Sequence, residues 1–457
     1  MSLTGVFFLV VFATGCLLAL ARHPIYGLLT YVGVFYLNPQ SRWWGQDMLM
    51  DVRWSLTAAL FALLSVLMYS ERGRLLAQLK RLPVLVFIAF IAWIAVQSLW
   101  ALDTESHWEL LTYYLKFVAV IVLFGACVES EQHLRWVLWA HVLGCFYLGW
   151  IALTSFAGGR FEEFGGAGLD DANAAALQIA TGVIVAAALF LAGKVKERVV
   201  LIGIIPVIVN ALVTTVSRSG FLAIATGGLL FNYFAPLRST KQVRVLSILA
   251  IVLFALLTGP SYWSRIETIK YGGDAVEGVD TGSKRLEIIR AQWKMSERFP
   301  MGCGAMCTTY LSPQYLSEKQ LSDGGRASHN TFMTMLVDHG IPGAAFYIVL
   351  VVWAARQLLA LKRRIAGRGT FIETALPAVA AALGAIFVAD LFVQYPKFEA
   401  RIWFVSLIFV LQQLAAQQEV ADRGSPSSVP ARRRRDEALA RSTAVRARDD
   451  RAADAKN

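Results

Sequence analysis

The chain has 457 residues, of which 56% are hydrophobic and only 16% charged, with a formal net charge of +11. An ordinary soluble domain is about 45–50% apolar and about 25% charged, so this composition excludes a single soluble globule. Repeated apolar runs of about twenty residues point instead to an all-α polytopic membrane protein. A balance this positive would suggest nucleic acid in a soluble protein. Here much of the excess falls in short loops and the C-terminal tail, where membrane topology accounts for it, and no nucleic-acid partner is expected.

Candidate spans run over 3–21, 24–37, 54–70, 83–101, 109–127, 135–157, 173–192, 199–217, 219–235, 243–259, 331–360, 372–394 and 401–417. The first lacks the basic leader and small-residue cleavage site of a secretory signal peptide, so it counts as structure. Only Arg22, His23 and Pro24 separate it from the second, which is too short to cross about 30 Å of hydrocarbon at about 1.5 Å per residue without help. The expectation is about twelve transmembrane helices, or thirteen if both of the first two cross.

Basic loops set the orientation. Arg72, Arg74, Lys80 and Arg81 share one loop, Lys194, Lys196 and Arg198 a second, Arg238, Lys241 and Arg244 a third, and Lys362, Arg363, Arg364 and Arg368 a fourth. Acidic or neutral loops alternate with them, carrying Asp103 and Glu105, then Glu162, Glu163, Asp170 and Asp171. The basic loops are therefore expected in the cytoplasm and the long polar segment opposite. This divides the chain into N-terminal spans (1–259), one large outer loop (260–329), C-terminal spans (330–418) and a basic cytoplasmic tail (419–457). The tail, with Arg432 to Arg435 and few apolar residues, reads as disordered and suited to anionic lipid.

Within the outer loop, Lys284 to Arg298 reads as an amphipathic helix, with Leu286, Ile289 and Trp293 on one face and Arg290, Lys294 and Arg298 on another. Such a helix lies on the membrane or caps the bundle. Gly272-Gly273, Gly302, Gly304 and Gly324-Gly325 mark turns. Cys303 and Cys307 face an oxidising compartment in this topology, and a small disulfide and two free thiols both fit. Cys16, Cys127 and Cys145 lie in apolar runs and read as core residues.

His329 stands where the outer loop meets the next span. An imidazole titrates near neutrality and can take a proton from an attacking hydroxyl; the competing reading is an interfacial histidine that orients the following helix. His339, beside Asp338, reads more simply as a paired structural residue, and His23, His107, His133 and His141 have no supporting context. Arg218 sits in Ser217-Arg218-Ser219-Gly220 between two apolar runs. An arginine this close to hydrocarbon on both sides is costly and calls for an anionic partner; a snorkelling arginine is the alternative. Its guanidinium fork suits phosphate oxygens. Arg265, Lys270, Lys284, Arg285, Arg290, Lys294, Arg298 and Arg326 add cations to the outer loop, most of them read as a solvated face. Arg285 stands apart only by its place at the head of the amphipathic helix. Lys116 and Asp390 are intramembrane charges, for which a mutual ion pair is the economical reading and substrate binding the functional one. Asp170, Asp171 and Asn173 open a span on the same face, where helix capping outweighs sugar binding. No His, Cys and carboxylate set has metal-ligand spacing, and no nucleotide-binding or serine-hydrolase motif occurs. The expectation is a site without metal or cofactor.

These residues resemble the O-antigen ligase and polymerase superfamily. His329-Asn330, nine residues, then Gly340-Ile341-Pro342-Gly343 is similar to the ligase signature. Ser217-Arg218-Ser219-Gly220 resembles its serine–arginine turn, and Arg285 ahead of Pro300-Met301-Gly302-Cys303-Gly304 resembles its second arginine element. Tyr36-Leu37-Asn38-Pro39-Gln40 and Trp43-Trp44-Gly45 look like the O-glycosylation ligases associated with exosortase systems. The resemblance covers nearly the whole chain up to about residue 418. It implies a C-type glycosyltransferase-like fold in the bacterial inner membrane, with the active site on the periplasmic side. The activity implied is metal-independent, inverting transfer of a glycan from undecaprenyl pyrophosphate to an acceptor hydroxyl, such as that of the lipid A core. Arg218 and Arg285 would clamp the pyrophosphate, and His329 would act as base or orient the acceptor. Arg290, Lys116, Asp390 and Asn330 complete the candidate substrate-binding set. A polysaccharide polymerase and a protein O-oligosaccharyltransferase share the same frame. A lipid or ion transporter is the rival from another class, although its polar residues would gather near midplane in repeated halves.

Overall fold

The computed structural model describes residues 2–45, 52–69, 78–155, 158, 160–162, 169, 171–259, 282–321 and 324–424. Arg265, Lys270, Gly272-Gly273, Asp170 and the tail from residue 425 lie outside the described residues, as do the side chain of Lys284 and most of the first basic loop. Residues 1–411 form one compact unit; of the second, 412–457, the described part is helical.

The long regular elements among the described residues are all helices, as hydrocarbon demands of a backbone that must bond to itself. In order they are α1 (Leu3–Ala21), α2 (Ile25–Leu37), α3 (Trp54–Tyr69), α4 (Leu82–Gln97), α5 (Thr104–Cys127), α6 (Glu131–Ser155), α7 (Ala172–Ala192) and α8 (Val195–Thr214). There follow α9 (Arg218–Phe234), α10 (Thr240–Leu257), α11 (Gly282–Arg298), α12 (Cys307–Tyr315), α13 (Thr331–Ile365), α14 (Phe371–Ala389) and α15 (Glu399–Gly424). Among the described residues nine stretches are long and apolar enough to cross a membrane: α1, α5–α8, α10 with the turn before it, and α13–α15. The protein is a polytopic all-α membrane protein, with about nine such spans where twelve were expected. Of the other six helices, α2, α3, α4 and α9 are apolar but short; the 13 residues of α2 reach only about 20 Å.

The centre of the bundle is α7 packed with α9 and α14. These helices meet through small residues, including Ala174–Ala176 and Ala378–Ala382, all nearly or wholly buried. Small residues let backbones approach closely where lipid supplies no hydrophobic drive. Loops pair up at each end of the bundle. At one end Arg238 reaches Glu373 (3.4 Å) and Arg135 reaches Glu197 (2.9 Å), which joins basic loops to their neighbours. At the other, Gln97 Nε2 donates to Met301 O (2.7 Å) and Ser217 Oγ to Asn173 Oδ1 (2.8 Å).

The segment 331–360, read from sequence as one span, contains a reversal. Gly340 has φ 68° and ψ −163°. Thr331 and Tyr347 are sixteen residues apart, about 24 Å in a straight helix, yet both reach the carboxylate of Asp390, at 3.1 and 2.8 Å. The chain thus rises from Thr331 to His339, turns at Gly340 and descends from Ile341. A Cβ on Gly343 would lie 2.4 Å from Met335 O, so only glycine lets the two arms touch. Of the motif's glycine pair, Gly340 therefore makes the turn and Gly343 lets its two arms pack.

A cap at the second end of the bundle consists of α11, α12 and the rising arm of α13. A disulfide joins Cys303 and Cys307, and these cysteines pack with Met295, Leu311 and Val337. Helix α11 begins at Gly282 and buries Ile288, Ala291, Gln292 and Met295, while Leu286 and Trp293 are exposed. This corrects the expected face, which had been chosen by hydrophobicity. Gln292 is buried because its amide donates to Ser328 Oγ (2.6 Å) and lies 3.2 Å from Thr308 Oγ1, partners that no residue pattern announces.

Candidate functional site

Arg218 owes its position to a short, heavily tied turn. Phe161 N–H donates to Thr214 O (3.0 Å), and Arg160 Nε donates to Thr215 O (3.1 Å). Val216 follows with φ 45°, a left-handed conformation that a β-branched residue rarely adopts. Ser217 then caps α9 by accepting from Gly220 N–H (3.1 Å), which places Arg218 in the first position of the helix.

Two more stretches repeat this design. Met306 (φ 61°) precedes α12, where the Asp338 carboxylate accepts from Met306 N–H (3.1 Å) and Thr308 N–H (3.4 Å). His329 (φ 50°) precedes α13, which Asn330 caps by accepting from Met333 N–H (2.9 Å). Strained residues of this kind persist only where their surroundings over-determine them, and they gather at functional sites. Val216, Met306 and His329 all line one cavity of about 540 Å³, a size suited to a small ligand or part of a larger one.

The cavity has two walls. The bundle contributes Arg160, Asn173, Arg218 and Ser219; the cap contributes Arg285, Thr309 and Arg326, with His329 and Phe392 beside them. All four arginines and the histidine are half-buried. Among the described residues that line it, the charged ones are arginines, and no carboxylate appears. Residues at or just before the starts of α7, α9, α11, α12 and α13 line the cavity, but the N-termini of α7 and α12 are already met by the Asp171 and Asp338 carboxylates. Four guanidiniums, one of them at the start of α9, favour a ligand with several negative oxygens. Among the described residues no group of three or more His, Cys, Asp or Glu side chains is placed to hold a metal ion.

The structure thus brings together Arg218, Arg285 and His329, and leaves the other candidates elsewhere. Arg290 is exposed on α11 and does not line the cavity. Lys116 is exposed on α5, 4.7 Å from the centre of the Tyr113 ring. Asp390 is wholly buried and pairs with Arg401 (2.6 Å), not with Lys116; the connection 390–398 folds Arg401 back onto it. Asn330 is committed to its cap and to Leu391 O (3.2 Å). Asp171 caps α7, accepting from Asn173 and Ala174 N–H, and also accepts from the Tyr395 hydroxyl. Burial and that carboxylate push the Tyr395 hydroxyl well above its usual value, so it stays protonated as the donor. His339 is buried and meets Gln97 (2.8 Å); His23 meets Glu129 (3.4 Å).

Two cavity arginines escaped the sequence reading. Arg326 was grouped with solvated cations, and Arg160 sits in an irregular stretch before Glu162, to which it is bridged at 2.9 Å. The one available signal for Arg160 was its isolation in an otherwise acidic loop.

No curated protein matches the chain. A family model described as O-antigen ligase matches residues 203–348, a stretch that contains Arg218, Arg285 and His329 together. The chain therefore carries, over residues 203–348, a domain of the O-antigen ligase family set in a polytopic membrane protein.

Proposed function

We propose that the protein transfers a glycan from undecaprenyl pyrophosphate to an acceptor hydroxyl on the periplasmic face of the bacterial inner membrane, the lipid A core being the acceptor best suited to an O-antigen ligase domain. The observation that carries this reading is the convergence of four arginines on one cavity beside His329. The Cys303–Cys307 disulfide supports an oxidising compartment for that face.

The pyrophosphate is already a good leaving group, so the protein's main tasks are to hold its charge and to activate the acceptor. Arg160 and Arg218 grip it from the bundle wall, Arg285 and Arg326 from the cap. His329 takes the proton of the acceptor hydroxyl as its oxygen bonds to the anomeric carbon. The bond from that carbon to the pyrophosphate oxygen breaks, and its electron pair leaves with undecaprenyl pyrophosphate. Attack opposite the leaving group inverts the anomeric centre. The proton on His329 returns to solvent.

Deleting the gene and analysing the cell's glycans tests the reading. Accumulation of free lipid-linked polymer is expected for a ligase. Single lipid-linked repeats would mean a polymerase instead, and unchanged lipid-linked glycans would contradict transfer altogether.

A further inference from the structure

Both chain neighbours of His329, and Thr331 after them, bond to residues 390–394, while Ser328 Oγ also donates to Asn330 O (2.8 Å) and accepts from Gln292 Nε2 (2.6 Å). Ser328 N–H donates to Gln394 Oε1 (2.6 Å). Asn330 Nδ2 donates to Leu391 O (3.2 Å). Thr331 N–H donates to Asp390 O (2.7 Å), and the Thr331 hydroxyl lies 3.1 Å from Asp390 Oδ1 and 2.8 Å from Val393 O. Asp390 is itself fixed by Arg401 (2.6 Å) and by the Tyr347 hydroxyl (2.8 Å). Neither Asp390 nor Gln394 lines the arginine cavity. Between these ties His329 holds a left-handed backbone, which a residue with a side chain keeps only under constraint on both sides.

We infer that residues 390–394 are the positioning element of His329, with Gln394 acting through Ser328 and Asp390 acting through Thr331. Neither touches the substrate. Their work is to fix the backbone on each side of His329, so that its ring faces the acceptor hydroxyl while the arginine walls hold the donor separately. The sequence reading placed Asp390 among the substrate-binding residues; the geometry makes it an anchor. The inference rests on the role of His329 proposed above.

Gln394 is the residue to test, because Asp390 is the buried partner of Arg401 and its loss threatens the bundle. Gln394 is half-buried, and its oxygen ties one backbone N–H. Leucine removes that acceptor at similar size, and glutamate keeps it. The purified full chain is reconstituted in liposomes of phosphatidylethanolamine and phosphatidylglycerol. It is supplied with lipid-linked glycan and acceptor glycolipid extracted from cells lacking the gene. Gln394→Leu is expected to lower kcat by about ten- to a hundredfold, the scale of a misplaced reacting group. The donor KM should stay within about twofold of wild type, because the arginines are untouched. Gln394→Glu should recover most of kcat, with all variants eluting as wild type on gel filtration.

A Gln394→Leu protein with wild-type kcat would overturn the inference. So would a raised KM at unchanged kcat, no recovery by glutamate, or a leucine variant that no longer elutes as wild type, since the tie would then be structural alone. His329→Ala run alongside separates the two readings. If it transfers normally, the proposed role of His329 fails first; if it is inactive while Gln394→Leu is fully active, only the positioning inference fails.

Discussion

At the scale of single residues, the cavity is defined by side chains whose cost is visible in the backbone. Val216, Met306 and His329 all adopt left-handed conformations; Met306 is the cap residue of α12, and Val216 and His329 directly precede the cap residues of α9 and α13. The arginines have unequal histories. Arg218 was legible in the sequence because a guanidinium between two apolar runs must be explained. Arg160 and Arg326 were not, because irregular polar segments have no periodicity and a cation there looks solvated. If both belong to the anion site, Arg160→Ala and Arg326→Ala should each raise the donor KM by about ten- to a hundredfold. That corresponds to losing one hydrogen bond to a charged group, about 1.5–3 kcal/mol. Unchanged KM values in a transfer assay would confine the site to the two arginines of the motif.

At the scale of elements, the decisive feature is the reversal in α13. The spacing from His329-Asn330 to Gly340 and Gly343 was readable as a motif, but its physical meaning was not. A helical pattern of residues looks the same whether the helix continues or turns back on itself. The turn also explains why Asp390 was given the wrong partner: Tyr347 and Arg401 reach it only once the chain has folded back on both sides. Gly340→Ala tests the hinge. Its Cβ would lie 2.4 Å from the Met301 carbonyl carbon at a backbone φ of 68°, so the change strains the turn and displaces the cap. A loss of about 2–3 kcal/mol or more is expected, seen as a lower melting temperature in detergent together with lost transfer. The face of α11 failed for a related reason: Ala291 and Gln292 pack inward because of what lies opposite, while Leu286 and Trp293 remain outside.

At the scale of the whole molecule, the fold class and the grouping of loops were legible because a bilayer allows few solutions. The number of crossings was less so. Helices such as α2, α3, α4 and α9 are apolar enough to be read as spans yet too short to cross by themselves, and sequence hydropathy does not show how packing completes them. The cavity needs one specific orientation, with α11 outside and the turn between α7 and α8 inside. Single cysteines at two exposed positions test it. Glu287→Cys should react with a membrane-impermeant maleimide in cells with a permeabilised outer membrane, and Lys196→Cys only after the inner membrane is opened. The reverse pattern would place the arginine cavity in the cytoplasm and exclude a periplasmic transfer.

In the proposed reaction His329 and the arginine walls act together in glycan transfer. The most direct measurement of this is transfer by His329→Ala and Arg218→Ala proteins shown to be membrane-inserted at wild-type levels. A fall of at least about a hundredfold is expected in each, the usual effect of removing a group that stabilises charge or moves a proton in the transition state. Near-normal transfer by the inserted His329→Ala protein would contradict the proposal.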